Sequence, residues 1–287
     1  MWFGLSLVGA LFQAGQYTVV KGWGRHLHPF TIMLWTQVVS LAAFAAWAWL
    51  VGDSFGAAWH HVGWVLAAVG LASVMNYLIA RASARGDISI VGPILALSPI
   101  ASILPDWWLT ATLPHGLGWV GVGAAALGTL SLSRGNASGF DVRGLFARED
   151  VLCALGAAAS LGALSAVDRK MTTLVGVPAY LTAVYLLQAP LTAALLWLRY
   201  PGGTARHLGR ADAATLAVHA LFAVAGNGLL LTALMLAPAA YVNSVRRVSS
   251  VISVLLGAAL FGEPGLSGRL LGALLTVLGA ACLLLAP

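Results

Sequence analysis

Charge is what this chain has least of. Only 8% of its 287 residues are Asp, Glu, Lys or Arg, whereas 60% are hydrophobic. A soluble domain carries about 25% charged residues, and the mean hydropathy of +0.90 lies far on the apolar side. A water-soluble fold is excluded. Cysteine is equally scarce, with Cys153 and Cys282 each inside an apolar stretch. They support neither a disulfide framework nor a thiolate metal site, and no spacing of residues calls for a cofactor. The net charge of +6 is scattered over short connections, which suits a membrane surface and not a nucleic-acid partner. Long polar linkers and low-complexity tails are lacking, and the first 20 residues have no basic leader and no small-residue cleavage site. They read as a retained helix.

Long apolar runs are what the chain has instead. A hydrocarbon core about 30 Å thick takes ~20 apolar residues per helix, and the chain divides into about ten such spans. The predicted spans cover about 2–20, 30–50, 62–80, 88–105, 117–133, 151–167, 178–198, 213–236, 241–263 and 268–286. The expected fold is therefore an all-α membrane protein, multi-pass in the cell (inner) membrane, with the lipid bilayer as its first partner. Trp47 and Trp49 close the second span as an interfacial belt. Pro93, Pro99 and Pro105 predict a bent fourth span whose freed carbonyls face protein or a cavity. Gly121, Gly123 and Gly128 in the fifth span, and the Gly/Ala-rich tenth span, predict close helix packing there. These two helices also offer a route to a homodimer.

Polar residues recur at one fixed distance. Gln37 and Gln188 lie 151 residues apart, and so do Asn76 and Asn227, Ser98 and Ser249, Ser102 and Ser253, Gly121 and Gly272, and Gly128 and Gly279. The repetition predicts a duplicated five-helix unit: residues 1–133, a polar connection at 134–150, and residues 151–287. An odd number of spans per unit makes the second copy enter from the opposite face, giving two inverted five-helix repeats. Such repeats support alternating access around a midplane site.

The stretch Tyr241–Glu263 places Asn243, Arg246, Arg247, Ser250 and Ser253 on one helical face. A guanidinium at the bilayer centre costs about 2.5–3.5 kcal/mol even on insertion scales, so the stripe faces protein or water, or the arginines run their heads to the interface. No carboxylate falls deep inside a predicted span to pair with them, so an incoming anionic group is the expected partner. Asp168, Arg169 and Lys170 close the sixth span. His219 reads as hydrogen-bonded in place, and Glu263 as a helix-end charge.

The ten spans, the duplication and the pattern FGEPGLSGRLLGALLTVLGA resemble the drug/metabolite transporter superfamily in its EamA-like branch. The likeness covers essentially the whole chain. A Gly-Glu pair commonly follows helices 4 and 9 in that family; here Gly262-Glu263 is present, while Thr112 stands where the first copy would carry its glutamate. The resemblance implies export or exchange of amino acids, other metabolites or toxic compounds. Distant relatives carry nucleotide sugars or phosphorylated sugars. A small four-helix relative uses a helix 1 glutamate for proton-coupled drug efflux, whereas this chain has Gln13 and Gln16 there.

The expectation is a secondary transporter of small organic solutes, amino acids or related metabolites, with no enzymatic activity. Gln13, Tyr17, Gln37, Asn76, Tyr185, Gln188, Asn227 and Asn243 would hydrogen-bond the solute, with Arg246 and Arg247 meeting a carboxylate or phosphate. The alternative is a flippase or transporter of a phosphate-bearing lipid head group. Orientation draws two opposed expectations. Basic residues concentrate in connections 1, 3, 5, 7 and 9, which by the positive-inside rule puts the termini outside; the resemblance implies cytoplasmic termini.

Overall fold

The protein is described by a computed structural model over residues 1–53, 55–85, 94–133, 149–199, 208–261 and 266–285. Pro93, the 134–148 part of the central connection and the Gly262-Glu263 pair lie outside these residues. All regular structure among the described residues is helical. The helices are α1 (Trp2–Trp23), α2 (Pro29–Val51), the short α3 (Phe55–Trp59), α4 (Val62–Arg85), α5 (Ser98–Thr110) and α6 (Leu117–Ser133) in the first half. The second half contributes α7 (Glu149–Val175), α8 (Val177–Arg199), α9 (Arg210–Leu236), α10 (Ala239–Arg246), α11 (Val248–Phe261) and α12 (Leu266–Leu285). Six of them (α1, α2, α4 within Val62–Ile79, α7, α8 and α9) are long and apolar enough to cross a membrane. Leu117–Gly128 and Leu271–Leu285 are shorter apolar helices.

Local signals set the helix ends. Pro29 occupies the first turn of α2, where its missing N–H costs nothing, and His28 Nδ1 accepts the Phe30 N–H at 3.3 Å. Gly176 alone separates α7 from α8, at φ +82. That left-handed conformation suits glycine, and an added Cβ would also lie 3.0 Å from Asp53 Oδ2.

Lipid tails are as apolar as leucine, so close packing and hydrogen bonds hold these helices together. α1 packs along α9 and α4 along α7; α2 lies on α8, α6 on α12, α5 on α7 and α10, and α11 on α1. Exchanging each helix for its counterpart 151 residues away maps these pairings onto one another, except that of α5 with α10, since the counterpart of α10 falls mostly outside the described residues. The duplication read from scattered polar residues is thus also present in the packing. The main core lies between the halves, where Phe44, Val65, Met171, Val177, Tyr180 and Leu230 are buried together.

Two expectations are corrected. The Gly/Ala-rich fifth and tenth spans face each other within one chain. A Cβ on Gly128 would lie 2.3 Å from the Thr276 backbone nitrogen, and one on Gly279 would lie 2.4 Å from that of Ala125. At Gly121, Gly128 and Gly279 these faces are occupied within the chain, and nothing among the described residues supports the homodimer expected through the two helices. The ninth span is also not one helix. It is interrupted between α10 and α11 at Arg247, whose N–H bonds back to the Ser244 carbonyl at 3.1 Å in a tighter turn.

Candidate functional site

A cavity of about 680 Å³ lies between the halves. Its walls come from α1, α2 and α4 of the first half and α7, α8, α9 and α10 of the second. It reaches the α1–α2 connection, where Lys21, Arg25 and Pro29 line it. Eight of the ten residues singled out from the sequence meet here: Gln13, Tyr17, Gln37, Asn76, Tyr185, Gln188, Asn227 and Arg246. Both pairs at the 151-residue spacing, Gln37 with Gln188 and Asn76 with Asn227, line this one cavity. Gln16, Thr36 and His219 join them.

The polar groups are arranged in short relays. Arg246 Nε donates to Gln13 Oε1 at 2.8 Å, and Gln13 Nε2 donates to Tyr17 Oη at 3.0 Å. On the other wall Asn227 Nδ2 donates to Tyr185 Oη at 3.0 Å, and the Tyr185 ring stacks on Phe44 with centroids 5.9 Å apart. Thr36 Oγ1 and His219 Nδ1 are 3.0 Å apart, so the histidine is held in place. Gln37 is buried with its Oε1 facing no partner. A buried acceptor left unmatched costs about 1–3 kcal/mol, and an arriving donor would recover it.

Asn243 and Arg247 are not part of the cavity wall. Asn243 is buried, with Nδ2 unpartnered. Arg247 turns to α5, where its Nη2 donates to the buried Ser98 hydroxyl. Consecutive helical residues point ~100° apart, and the interruption at Arg247 completes the separation. The single polar stripe expected over 243–253 is therefore divided, with only Arg246 reaching the cavity.

The expectation that no carboxylate lies deep inside a span is overturned by Asp168, and a second aspartate, Asp106, is buried on the shorter α5. α7 continues through Asp168, Arg169 and Lys170 to Val175, where hydropathy placed the end of the sixth span. Asp168 lines the cavity, and its Oδ1 accepts the Tyr180 hydroxyl at 2.6 Å. Arg169 turns away to Asp106 on α5, with Nη1 3.0 Å from each carboxylate oxygen. Lys170 places its ammonium 4.4 Å from the Trp64 ring centroid. Three adjacent charges thus take three directions. One signal for Asp168 was present in the sequence, since it stands 151 residues after Tyr17, itself a cavity residue.

Asp106 is the hub of a second polar cluster, formed where the halves meet. It is 1% exposed. Its Oδ2 also accepts the Ala239 N–H, at the start of α10, at 2.7 Å, and Thr110 Oγ1 lies 3.1 Å from Oδ1. Thr112, which stands where the resemblance would have a glutamate, accepts a hydrogen bond from Arg169. The carboxylate for Arg169 comes from Asp106 of the same segment. Close by, Tyr241 Oη accepts the His115 N–H at 3.2 Å. Among the described residues no group of His, Cys, Asp or Glu is arranged to hold a metal ion.

Comparison with known proteins agrees with this architecture. The model of the EamA-like transporter family matches residues 1–134 and again 150–285. A solved structure titled only "Crystal structure of protein" superposes with a TM-score of 0.78 at 18% identity, covering 99% of this chain and 98% of its own. At that identity the likeness concerns the fold alone. No curated protein matches the sequence. With both halves matched, the chain belongs to the EamA-like transporter family, a family of membrane transporters of small solutes.

Proposed function

We propose that this member of the family is a secondary transporter of small organic solutes bearing an anionic group, with amino acids and related metabolites as the leading class. The observation that carries the reading is the cavity between the halves. Its volume of about 680 Å³ falls within the ~300–1,000 Å³ range of small-molecule sites. Its wall holds three cationic side chains, Lys21, Arg25 and Arg246, against the single carboxylate of Asp168. The neutral amides of Gln13, Gln37, Asn76, Gln188 and Asn227 add directional hydrogen bonding without the cost of further buried charge.

Ten membrane crossings in two inverted five-helix repeats would carry the protein through the cell (inner) membrane, with exchange of the halves giving alternating access. Supporting this, the cavity extends to the α1–α2 connection. By chain direction, the Asp106–Arg169 cluster lies toward the opposite ends of the helices, where the turn after α5 and the start of α10 meet α7. That cluster would close one face while the cavity stays open toward the other. Opening the closed face requires parting Arg169 from Asp106.

The test is counterflow in proteoliposomes. Protein preloaded with unlabelled amino acids or organic acids should accumulate the labelled solute, and Arg246→Ala should reduce that exchange. Exchange at the rate of protein-free vesicles for every carboxylate and phosphate solute tried would dismiss the reading.

A further inference from the structure

Asp168 is a carboxylate within the membrane span of α7 for which the transport reading above has no use. Its sequence neighbours do not neutralise it, because Arg169 is engaged by Asp106 and Lys170 lies over Trp64. Among the described residues no Lys or Arg forms an ion pair with it, and its side-chain partner is the neutral hydroxyl of Tyr180. Ionisable residues inside a membrane bundle are expensive and ordinarily find a counter-charge. Here the carboxylate faces the cavity instead. Arg246 stands in the same cavity with its Nε donating to the neutral amide of Gln13. Asp168 and Arg246 therefore stand in one chamber as a negative and a positive side chain, each hydrogen-bonded to a neutral group and neither ion-paired to the other.

We infer that Asp168 is the ammonium-binding residue of the cavity, so that the solute carries a positive and a negative charge together, with Arg246 receiving the negative one. This rests on the transport reading and deepens it by naming a specificity-determining residue. The chemistry follows from desolvation. A charge entering a low-dielectric chamber loses its hydration and regains the loss only against a fixed opposite charge. A zwitterion meets both fixed charges, whereas a molecule with either end blocked leaves one of them bare. Tyr180 holds the carboxylate in place through Oδ1, leaving its second oxygen for the ammonium.

The experiment uses the full-length protein in nanodiscs and reads thermal stabilisation as a function of ligand concentration. The probes are L-leucine, L-phenylalanine and L-serine, each free, N-acetylated and as the methyl ester, beside a dicarboxylate and a phosphorylated sugar. In the wild-type protein the free form of at least one amino acid should bind about tenfold or more tighter than both of its blocked forms. Asp168→Asn keeps an oxygen to accept the Tyr180 hydroxyl. It should abolish the advantage of the free over the N-acetylated form while leaving N-acetyl binding within about threefold. Arg246→Gln should abolish the advantage over the methyl ester.

Equal binding of free and N-acetylated forms to the wild type overturns the inference without any variant having to fold. So does an Asp168→Asn protein that keeps the preference. Stabilisation by the dicarboxylate or the phosphorylated sugar alone sinks the ammonium site and leaves the transport reading standing. A protein stabilised by nothing in the series overturns both.

Discussion

Arg169 of α7 and Asp106 of α5 form a buried ion pair across the two halves of the chain, with Nη1 3.0 Å from both carboxylate oxygens. The side chains are 13% and 2% exposed, so little water shares in the contact. Asp106 also accepts the N–H of Ala239, which ties a third segment to the same carboxylate. Breaking such a pair from one side strands a charge, whereas replacing both partners removes the problem.

Arg169→Ala should accordingly lower stability by about 3–5 kcal/mol. The double replacement Asp106→Leu with Arg169→Met should recover most of that loss. Thermal unfolding in detergent checks both. A single variant that melts with the wild type would show the pair to be unimportant for the fold. In proteoliposomes the stable double variant should retain solute binding yet exchange it more slowly or leak, because the contact proposed to close one face is gone.

The two adjacent arginines should behave differently. Arg246→Ala removes a cavity cation, and loss of a charge-assisted hydrogen bond of about 1.5–3 kcal/mol corresponds to a roughly ten- to hundredfold weaker Kd for carboxylate-bearing solutes. Arg247→Ala removes a contact to Ser98 outside the cavity wall. Its solute Kd should stay within about threefold of wild type, with the melting temperature carrying the change. Equal losses of affinity in the two variants would contradict their separation by the break at Arg247.

Gln37→Leu separates binding from folding in another way. The wild-type amide oxygen is buried without a partner, so removing it should leave stability unchanged or raised, by up to about 1 kcal/mol. Solute affinity should fall if that oxygen is matched by a donor on the solute. A variant that loses stability and keeps affinity would place the residue among packing groups.

Gly128→Val and Gly279→Val test the α6–α12 contact. Each added Cβ meets backbone nitrogen at 2.3–2.4 Å, which no side-chain rotation relieves. Overpacking of this kind costs about 1–3 kcal/mol or more. Gly123→Val should be near neutral by comparison, since nothing lies within 4 Å of a Cβ there. Melting temperatures of the three variants in one detergent give the ranking.

Much of the architecture is written locally. Apolar runs, sparse charges and the glycine pattern determined that the chain is helical, membrane-embedded and duplicated, because lipid satisfies no backbone polar group outside a helix or closed barrel. The scarcity of polar residues made their spacing informative, so Gln37 with Gln188 and Asn76 with Asn227 could be proposed as solute-binding groups before any fold was known. Tertiary structure alone decided where the charges go. A hydropathy reading ends a span at the first charges because it weighs each side chain against lipid, and so it stopped at Asp168. In the folded protein α7 runs on to Val175 because Tyr180, Asp106 and Trp64 receive Asp168, Arg169 and Lys170. Arg246 and Arg247 are indistinguishable as neighbours in sequence. Long-range partners, Gln13 for one and Ser98 for the other, send one guanidinium into the cavity and the other into the packing of α5.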